Sequence, residues 1–288
     1  MPAEILDGRV LSARIRQELK QQLDILKEKT GDVPSLVNFM VGDNDGSASY
    51  ARAQEKAAAA IGIRCRLVSL PGDITQDDLI GQIKTANADA AITGIMIDKP
   101  FPKGLDDHAV VNAMNPAKDV EGLHVSHLGK IMTGRPGMIP CTAAAVMAHI
   151  REAGCDLYGK ETVIVGASEI VGKPLALLLL KEMATVTVCH IGTAEAGRLE
   201  EHVARAEILI VAVGKPGIIP GAWVKPGACV IDVGINNLNG AVVGDVGFED
   251  ARTRAALITP VPGGVGPVTV MMLMKNALIA HREQKGIL

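Results

Sequence analysis

The sequence predicts an α/β protein of two lobes. Helix-like and strand-like segments alternate from end to end, which is the pattern of parallel βαβ units. The strand-like segments of the second half are short, continuous apolar runs, as strands buried on both faces require. The length, 288 residues, gives a prior of two domains at roughly 150 residues each.

Leu11, Ile15, Leu19, Leu23 and Leu26 recur at helical spacing, so the first element is an amphipathic helix. Residues 35–41 read as a strand and 42–46 as a turn. Ser47 is placed to cap an alanine-rich helix running to about 61. Residues 64–70 are strand-like, and Thr75 stands where it caps a helix to about 87. The strand 92–97 stops at Asp98-Lys-Pro-Phe-Pro102, since proline cannot continue a sheet interior. Gly122, Gly129, Gly134, Pro136 and Gly137 place a hinge near 120–140. Beyond it, 161–166 is a strand, 171–183 a helix, 184–190 a strand and about 195–206 a helix. Two short apolar strands follow at 208–213 and 229–233, and a helix carrying Met271 to Met274 runs to about 284.

Composition narrows the function. Hydrophobic residues make up 48% and charged residues 21%, enough apolar material for two cores. Aromatics are only 2% and the net charge is −3, which leaves neither a stacking platform nor a basic patch for nucleic acid. No apolar run approaches the roughly 18 residues that cross a bilayer. Residues 1–9 carry two acids and lack the apolar stretch of a signal peptide. Five scattered cysteines without a CxxC pair fit reduced thiols in a cytoplasm. His124 and His127 lie close together but read as loop or surface histidines, and no metal is expected.

The chemistry concentrates at two glycine-rich segments. In Val165-Gly-Ala-Ser-Glu-Ile-Val-Gly-Lys-Pro174 a strand feeds a turn and then a helix start, where backbone N–H groups and the helix dipole suit a pyrophosphate. Strand, turn and helix in that order are what a Rossmann-type nucleotide site requires. The next strand ends Cys189-His-Ile-Gly-Thr193, with neither an acid for a free ribose 2′-hydroxyl nor an arginine for a 2′-phosphate. The choice between NAD and NADP is open at this point. Pro260-Val-Pro-Gly-Gly-Val-Gly-Pro267 is the second segment, a rigid backbone that lets a flat ligand approach closely.

Together with Lys118-Asp-Val-x-Gly122, Pro140-Cys-Thr142, Gly214-Lys-Pro-Gly217, Ile231-Asp-Val-Gly-Ile-Asn236 and Val243-Gly-Asp-Val246, these segments resemble the bifunctional methylenetetrahydrofolate dehydrogenase/cyclohydrolase (FolD) family. The resemblance covers nearly the whole chain. It implies a three-layer α/β catalytic domain at 1–120 completed by the helix 267–288, a Rossmann domain at 121–266, and a cleft between them. A cytoplasmic homodimer, NADP as the usual cofactor and a tetrahydrofolate derivative as substrate come with it. By matched position, Tyr50, Gln54 and Asp98 occupy the catalytic site. Tyr50, Pro100, Glu121, Pro262, Gly263 and Gly264 meet the folate. Gly166, Ala167, Ser168, Ile170, Gly172, Thr193 and Ile235 hold the dinucleotide. Asp232 is expected to be structural.

The chain departs from the family pattern at three polar positions. The Tyr-x-x-x-Lys pair has become Tyr50 and Gln54, and Lys56 sits about 200° around the helix from position 54. The glutamine before Pro100 is Asp98 with Lys99 between them, and the pterin-facing aspartate is Glu121. Hydride transfer needs two aligned rings rather than a titrating side chain. Hydrolysis of the methenyl bridge needs a proton moved, which a glutamine amide cannot do. The expected activity is therefore a dehydrogenase with weak or absent cyclohydrolase. The alternatives are a catalytically silent folate- or dinucleotide-binding paralogue, and a dehydrogenase for another one-carbon carrier or an unrelated metabolite.

Overall fold

The structure, a computed structural model, describes residues 2–42 and 45–287; the side chains of 45–50, those of Ser47 and Tyr50 included, lie outside the described residues. Along the chain run β1 (Glu4–Ile5), α1 (Gly8–Thr30), β2 (Ser35–Val41), α2 (Asp45–Ile61), β3 (Arg64–Leu70), α3 (Gln76–Ala88), β4 (Gly94–Ile97), α4 (Asp107–Asn112), α5 (Val125–Met132) and α6 (Cys141–Glu152). The second half continues with β5 (Glu161–Val165), α7 (Gly172–Lys181), β6 (Thr185–Cys189), α8 (Ile191–Glu195), α9 (Leu199–Arg205), β7 (Ile208–Val211) and β8 (Cys229–Asp232). It closes with β9 (Asn236–Leu238), β10 (Ala241–Val243), α10 (Phe248–Arg252), β11 (Leu257–Ile258) and α11 (Val265–Lys285).

Two compact units emerge. One comprises Arg14–Lys130, Pro136–Cys141 and Val270–Leu288. Its sheet is parallel, in the order β3-β2-β4. Alternate residues of β2 enter different cores. Val37, Phe39 and Val41 pack with Leu79 and Ile83 of α3 and Val110 of α4. Leu36 instead joins Leu19 and Leu23 of α1, Ile61 of α2 and Met274 of α11. Both faces of the sheet are covered, giving three layers, and a polar residue on the Leu36 side of β2 is forced inside.

The other unit comprises Met1–Ala13, Ile131–Arg135 and Thr142–Thr269. Its six strands run in the order β1-β11-β8-β7-β5-β6, and every neighbouring pair is parallel. Val163, Val165, Leu209, Val211, Val230 and Ile258 supply an aromatic-free sheet face to its core. β9 and β10 form a separate antiparallel hairpin, turned at Asn239 and Gly240 with φ of 52° and 81°.

The units divide the chain at other residues than the expected 120/121 and 266/267 boundaries. Residues 1–13 group with the six-stranded unit because β1 pairs in parallel with β11, and two residues are too few to show a period. The expected glycine hinge at 120–140 contains α5, and Gly122 is packed in place, with φ of 73° and a would-be Cβ against the Ile139 carbonyl. The single helix expected at 195–206 is two, α8 and α9, separated at Gly197 with φ of 68°. Helix α2 starts at Asp45, two residues before the expected Ser47 cap. Thr75 does cap α3, its Oγ1 accepting from the Asp78 N–H at 3.1 Å.

Candidate active site

In the three-stranded unit, Asn38 organises the polar cluster. It lies in the middle of β2, 2% exposed, and its Nδ2 donates to Gln54 Oε1 and to Asp98 Oδ2, each at 3.1 Å. Gln54, on the inner face of α2, is 3% exposed, whereas Lys56 faces solvent. Asp98 follows β4 directly and is half-buried; burial pushes its carboxyl above the usual range, and the Asn38 hydrogen bond opposes that. Lys99 is engaged elsewhere, 2.9 Å from Asp107 and with its ammonium 5.2 Å from the Phe101 ring centre. Pro100 is exposed beyond it, after a cis peptide bond.

Glu121 reaches the same strand end. Its Oε2 accepts from the Ile97 N–H at 3.0 Å, and burial pushes its pKa up to about 8. A carboxyl held protonated near neutral pH keeps an O–H donor as well as an acceptor. The rest of its motif is structural. Lys118 donates to the carbonyls of Ala86 at 3.0 Å and Asp89 at 2.7 Å. Asp119 accepts from the N–H groups of Glu121, Gly122 and His124 at 3.1, 3.0 and 2.7 Å. Asn276 of α11 ties the segment down, donating to the Val120 and Ile139 carbonyls at 2.9 Å each. Cys141 is half-buried, its Sγ at 3.6 and 3.8 Å from the Val120 and Glu121 carbonyl oxygens, with its thiol pushed well above its ordinary value by desolvation.

His124 and His127 are not surface histidines: they are 8% and 2% exposed. His124 Nδ1 accepts from the Ser126 N–H at 3.0 Å, and His127 Nε2 lies 2.7 Å from the Pro116 carbonyl oxygen. Buried imidazoles that close turns have the same local spacing as exposed ones, so sequence alone did not separate them. Among the described residues no group of His, Cys, Asp or Glu is arranged to hold a metal.

In the six-stranded unit the strand order reverses at β5, which has β6 on one side and β7 on the other. Ligands of open parallel sheets bind at the carboxyl ends of strands flanking such a switch point. The turn there is Gly166 to Gly172. Gly166 has φ of 124° and no room for a Cβ against the Ala212 carbonyl oxygen, and a Cβ at Gly172 would meet Gly166 itself. Ser168 Oγ accepts from the Val171 N–H at 3.1 Å, while Ser168 and Ile170 are exposed and Ala167 half-buried. This tight turn onto the start of α7 fits a pyrophosphate. Thr193 stands one strand over, its Oγ1 accepting from the His190 N–H at 3.2 Å in a capping box on α8.

Ile235, an apolar side chain 68% exposed, borders a cavity of about 310 Å³ with Pro262, Gly263 and Gly264. Of two buried aspartates nearby, Asp232 lines the cavity and Asp245 supports the adjoining loop. Asp232 accepts from the N–H groups of Gly234, Asp245 and Val246 at 3.0, 3.1 and 2.9 Å. Asp245 accepts from Val213, Gly214 and Lys215 at 2.7, 2.9 and 2.8 Å. The glycines complete the lock: a Cβ at Gly244 would strike the Asp232 carboxylate, and one at Gly234 would strike Asp245. Replacing Asp232 with alanine leaves three N–H groups without their acceptor. The expected loss is about 3 kcal/mol of stability or more, read from the urea midpoint.

The switch-point turn on a parallel sheet, beside a second α/β unit, fits the class of dinucleotide-binding enzymes. The family model described as tetrahydrofolate dehydrogenase/cyclohydrolase, catalytic domain, matches residues 6–121, and its NAD(P)-binding domain counterpart matches 140–285. Bifunctional protein FolD of Acetivibrio thermocellus is 47% identical over 285 residues, 99% of either chain. The crystal structure of the bifunctional FolD enzyme from Campylobacter jejuni superposes with a TM-score of 0.94 at 40% identity, covering 99% of this chain and 100% of that one. The Trypanosoma brucei FolD, solved with NADP and an inhibitor, gives 0.94 at 38% identity, covering 98% of each. The chain belongs to the tetrahydrofolate dehydrogenase/cyclohydrolase family of folate one-carbon metabolism.

Proposed function

We propose that this protein oxidises 5,10-methylenetetrahydrofolate to the methenyl form with NADP or NAD, and that its cyclohydrolase activity is weak. The observation that carries the reading is the Asn38–Gln54–Asp98 cluster, in which a buried amide stands where proton transfer needs a titrating group. When bound, the dinucleotide supplies the hydride acceptor. Gly166, Ala167, Ser168, Ile170, Gly172 and Thr193 hold it, with Ile235 against the nicotinamide. Tyr50, Pro100, Pro262, Gly263 and Gly264 position the folate. Glu121, neutral below about pH 8, both donates to and accepts from the pterin edge. Any residual hydrolysis passes through Asp98, the titratable member of the cluster, and Asp98→Asn removes it.

The working division is a folate-binding part at 1–120 plus 267–288 and a dinucleotide-binding part at 121–266, in a cytoplasmic homodimer. The test is a steady-state assay with methylenetetrahydrofolate, run with each cofactor and following both reduced cofactor and methenyl product. Methenyl accumulation beyond uncatalysed decay supports the reading. Reduced cofactor without methenyl build-up overturns the weak-cyclohydrolase half, and no turnover overturns the substrate. The end of β6 offers the 2′-phosphate no arginine, while Ile191 beside it is 73% exposed. Ile191→Arg is expected to raise kcat/KM with NADP relative to NAD by about tenfold, the worth of one charge-assisted hydrogen bond.

A further inference from the structure

At the amino-terminal ends of β7, β8 and β11, opposite the end that carries the dinucleotide turn, lies a cavity of about 270 Å³. Ile208, Cys229 and Leu257, the first residues of those strands, line it together with Cys155. Both cysteines are free thiols: Cys155 is half-buried in the turn after α6, and Cys229 is buried. Both line the same cavity, Cys155 on a loop and Cys229 at the start of β8. The charged groups on the same walls are Asp156, Lys160, Glu207 and Lys225, with Lys160 2.9 Å from Glu207. The neighbouring Cys229 thiol and the Lys160 charge bring the Cys155 thiol down to about 7, against desolvation, while the Cys155 thiol and burial hold Cys229 protonated. A half-buried thiol of lowered pKa and a buried protonated thiol on one cavity are the arrangement of an attacking and a resolving cysteine.

We propose that Cys155 and Cys229 are a redox-active dithiol that closes to a disulfide by exchange with a low-molecular-weight organic disulfide entering this cavity. Cys155 thiolate attacks one sulfur of the small disulfide; that S–S bond breaks and the first thiolate leaves. The departing thiolate takes the Cys229 proton. Cys229 sulfur then attacks Cys155 Sγ, the mixed disulfide breaks, and the second thiolate leaves to be protonated by solvent. The protein dithiol loses two electrons, and the small disulfide is reduced to two thiols. The site uses none of the residues assigned to folate or dinucleotide.

The full-length protein, fully reduced, is incubated with oxidised glutathione at pH 7 and followed by intact mass and non-reducing peptide mapping. The expected product has lost two hydrogens and yields a Cys155–Cys229 linked peptide, which dithiothreitol reverses. Cys229→Ser is expected to retain one glutathione on Cys155, and Cys155→Ser to give neither product. In the untreated wild type, Cys155 should react with iodoacetamide about tenfold faster at pH 7 than Cys65, Cys141, Cys189 or Cys229. This reading needs no variant to fold. A stable glutathione adduct on wild-type Cys155, modification at another cysteine first, or no reaction overturns the proposal.

Discussion

Replacing Gln54 with lysine is expected to raise the rate of methenyl hydrolysis about 10²-fold, the low end of what positioned acid–base assistance supplies. The position is prepared for it. Gln54 sits on the buried face of α2, and its amide shares Asn38 with Asp98, so a lysine there enters a partly desolvated site beside a carboxylate. Burial lowers a lysine pKa and a neighbouring carboxylate raises it, which together keep the amine within reach of a neutral-pH proton transfer. The dehydrogenase rate with the same variant should change far less, because ring alignment does not depend on a titrating side chain at this position. Decay of preformed methenyltetrahydrofolate, corrected for the uncatalysed rate, checks it. Unchanged hydrolysis in a folded variant would mean that Asp98 and Glu121 have re-specified the pocket.

Glu121→Gln carries the second large effect, on the pH dependence of stability. The folded carboxyl has a pKa near 8 against an ordinary value of 4.5, so between those limits the native state binds the proton that the unfolded chain releases. Stability therefore falls as pH rises through that window, by about 1.4 kcal/mol per unit at its steepest, and is flat above about pH 8. Glutamine keeps the shape and an acceptor for the Ile97 N–H but has no proton to lose. The variant should thus gain several kcal/mol relative to wild type between pH 5 and 8, seen as converging and then crossing denaturation midpoints. Parallel curves for the two proteins would show that Glu121 ionises normally. In activity, KM for the folate should climb above about pH 8 in the wild type and stay level in Glu121→Gln.

Sequence periodicity carried the parallel α/β architecture because the strands are apolar runs and α1 shows five leucine and isoleucine positions at helical spacing. It also carried the tight turn between β5 and α7, since a strand feeding a glycine at the turn and a glycine at the helix start leaves little else to build. The pairing of β1 was invisible: two residues have no period, and their partner lies more than two hundred residues away. Asn38 does carry a signal in the sequence. A lone amide inside Ser35-Leu-Val-Asn-Phe-Met-Val41 must find partners if the strand is buried on both faces. Asp245 and Asp119 were absorbed into motifs, yet each satisfies three backbone N–H groups, and only coordinates distinguish such an acid from one that faces a ligand. Gln54 and Glu121 were legible as departures, while their hydrogen bonds were not.

The core that joins Leu19 and Leu23 to Ile61 also contains Met271, Met274 and Leu278. Those partners are made more than two hundred residues after α1 and α2. At about 5–20 residues per second, the apolar faces of α1 and α2 wait roughly ten to forty seconds for α11 to emerge. The six-stranded unit draws on residues 1–13 and on strands up to β11, so it can close while the three-stranded unit still lacks α11. Nascent chains stalled shortly before residue 270 should accordingly present α1 and α2 as a chaperone-binding surface, and chains with the whole of α11 outside the ribosome should not.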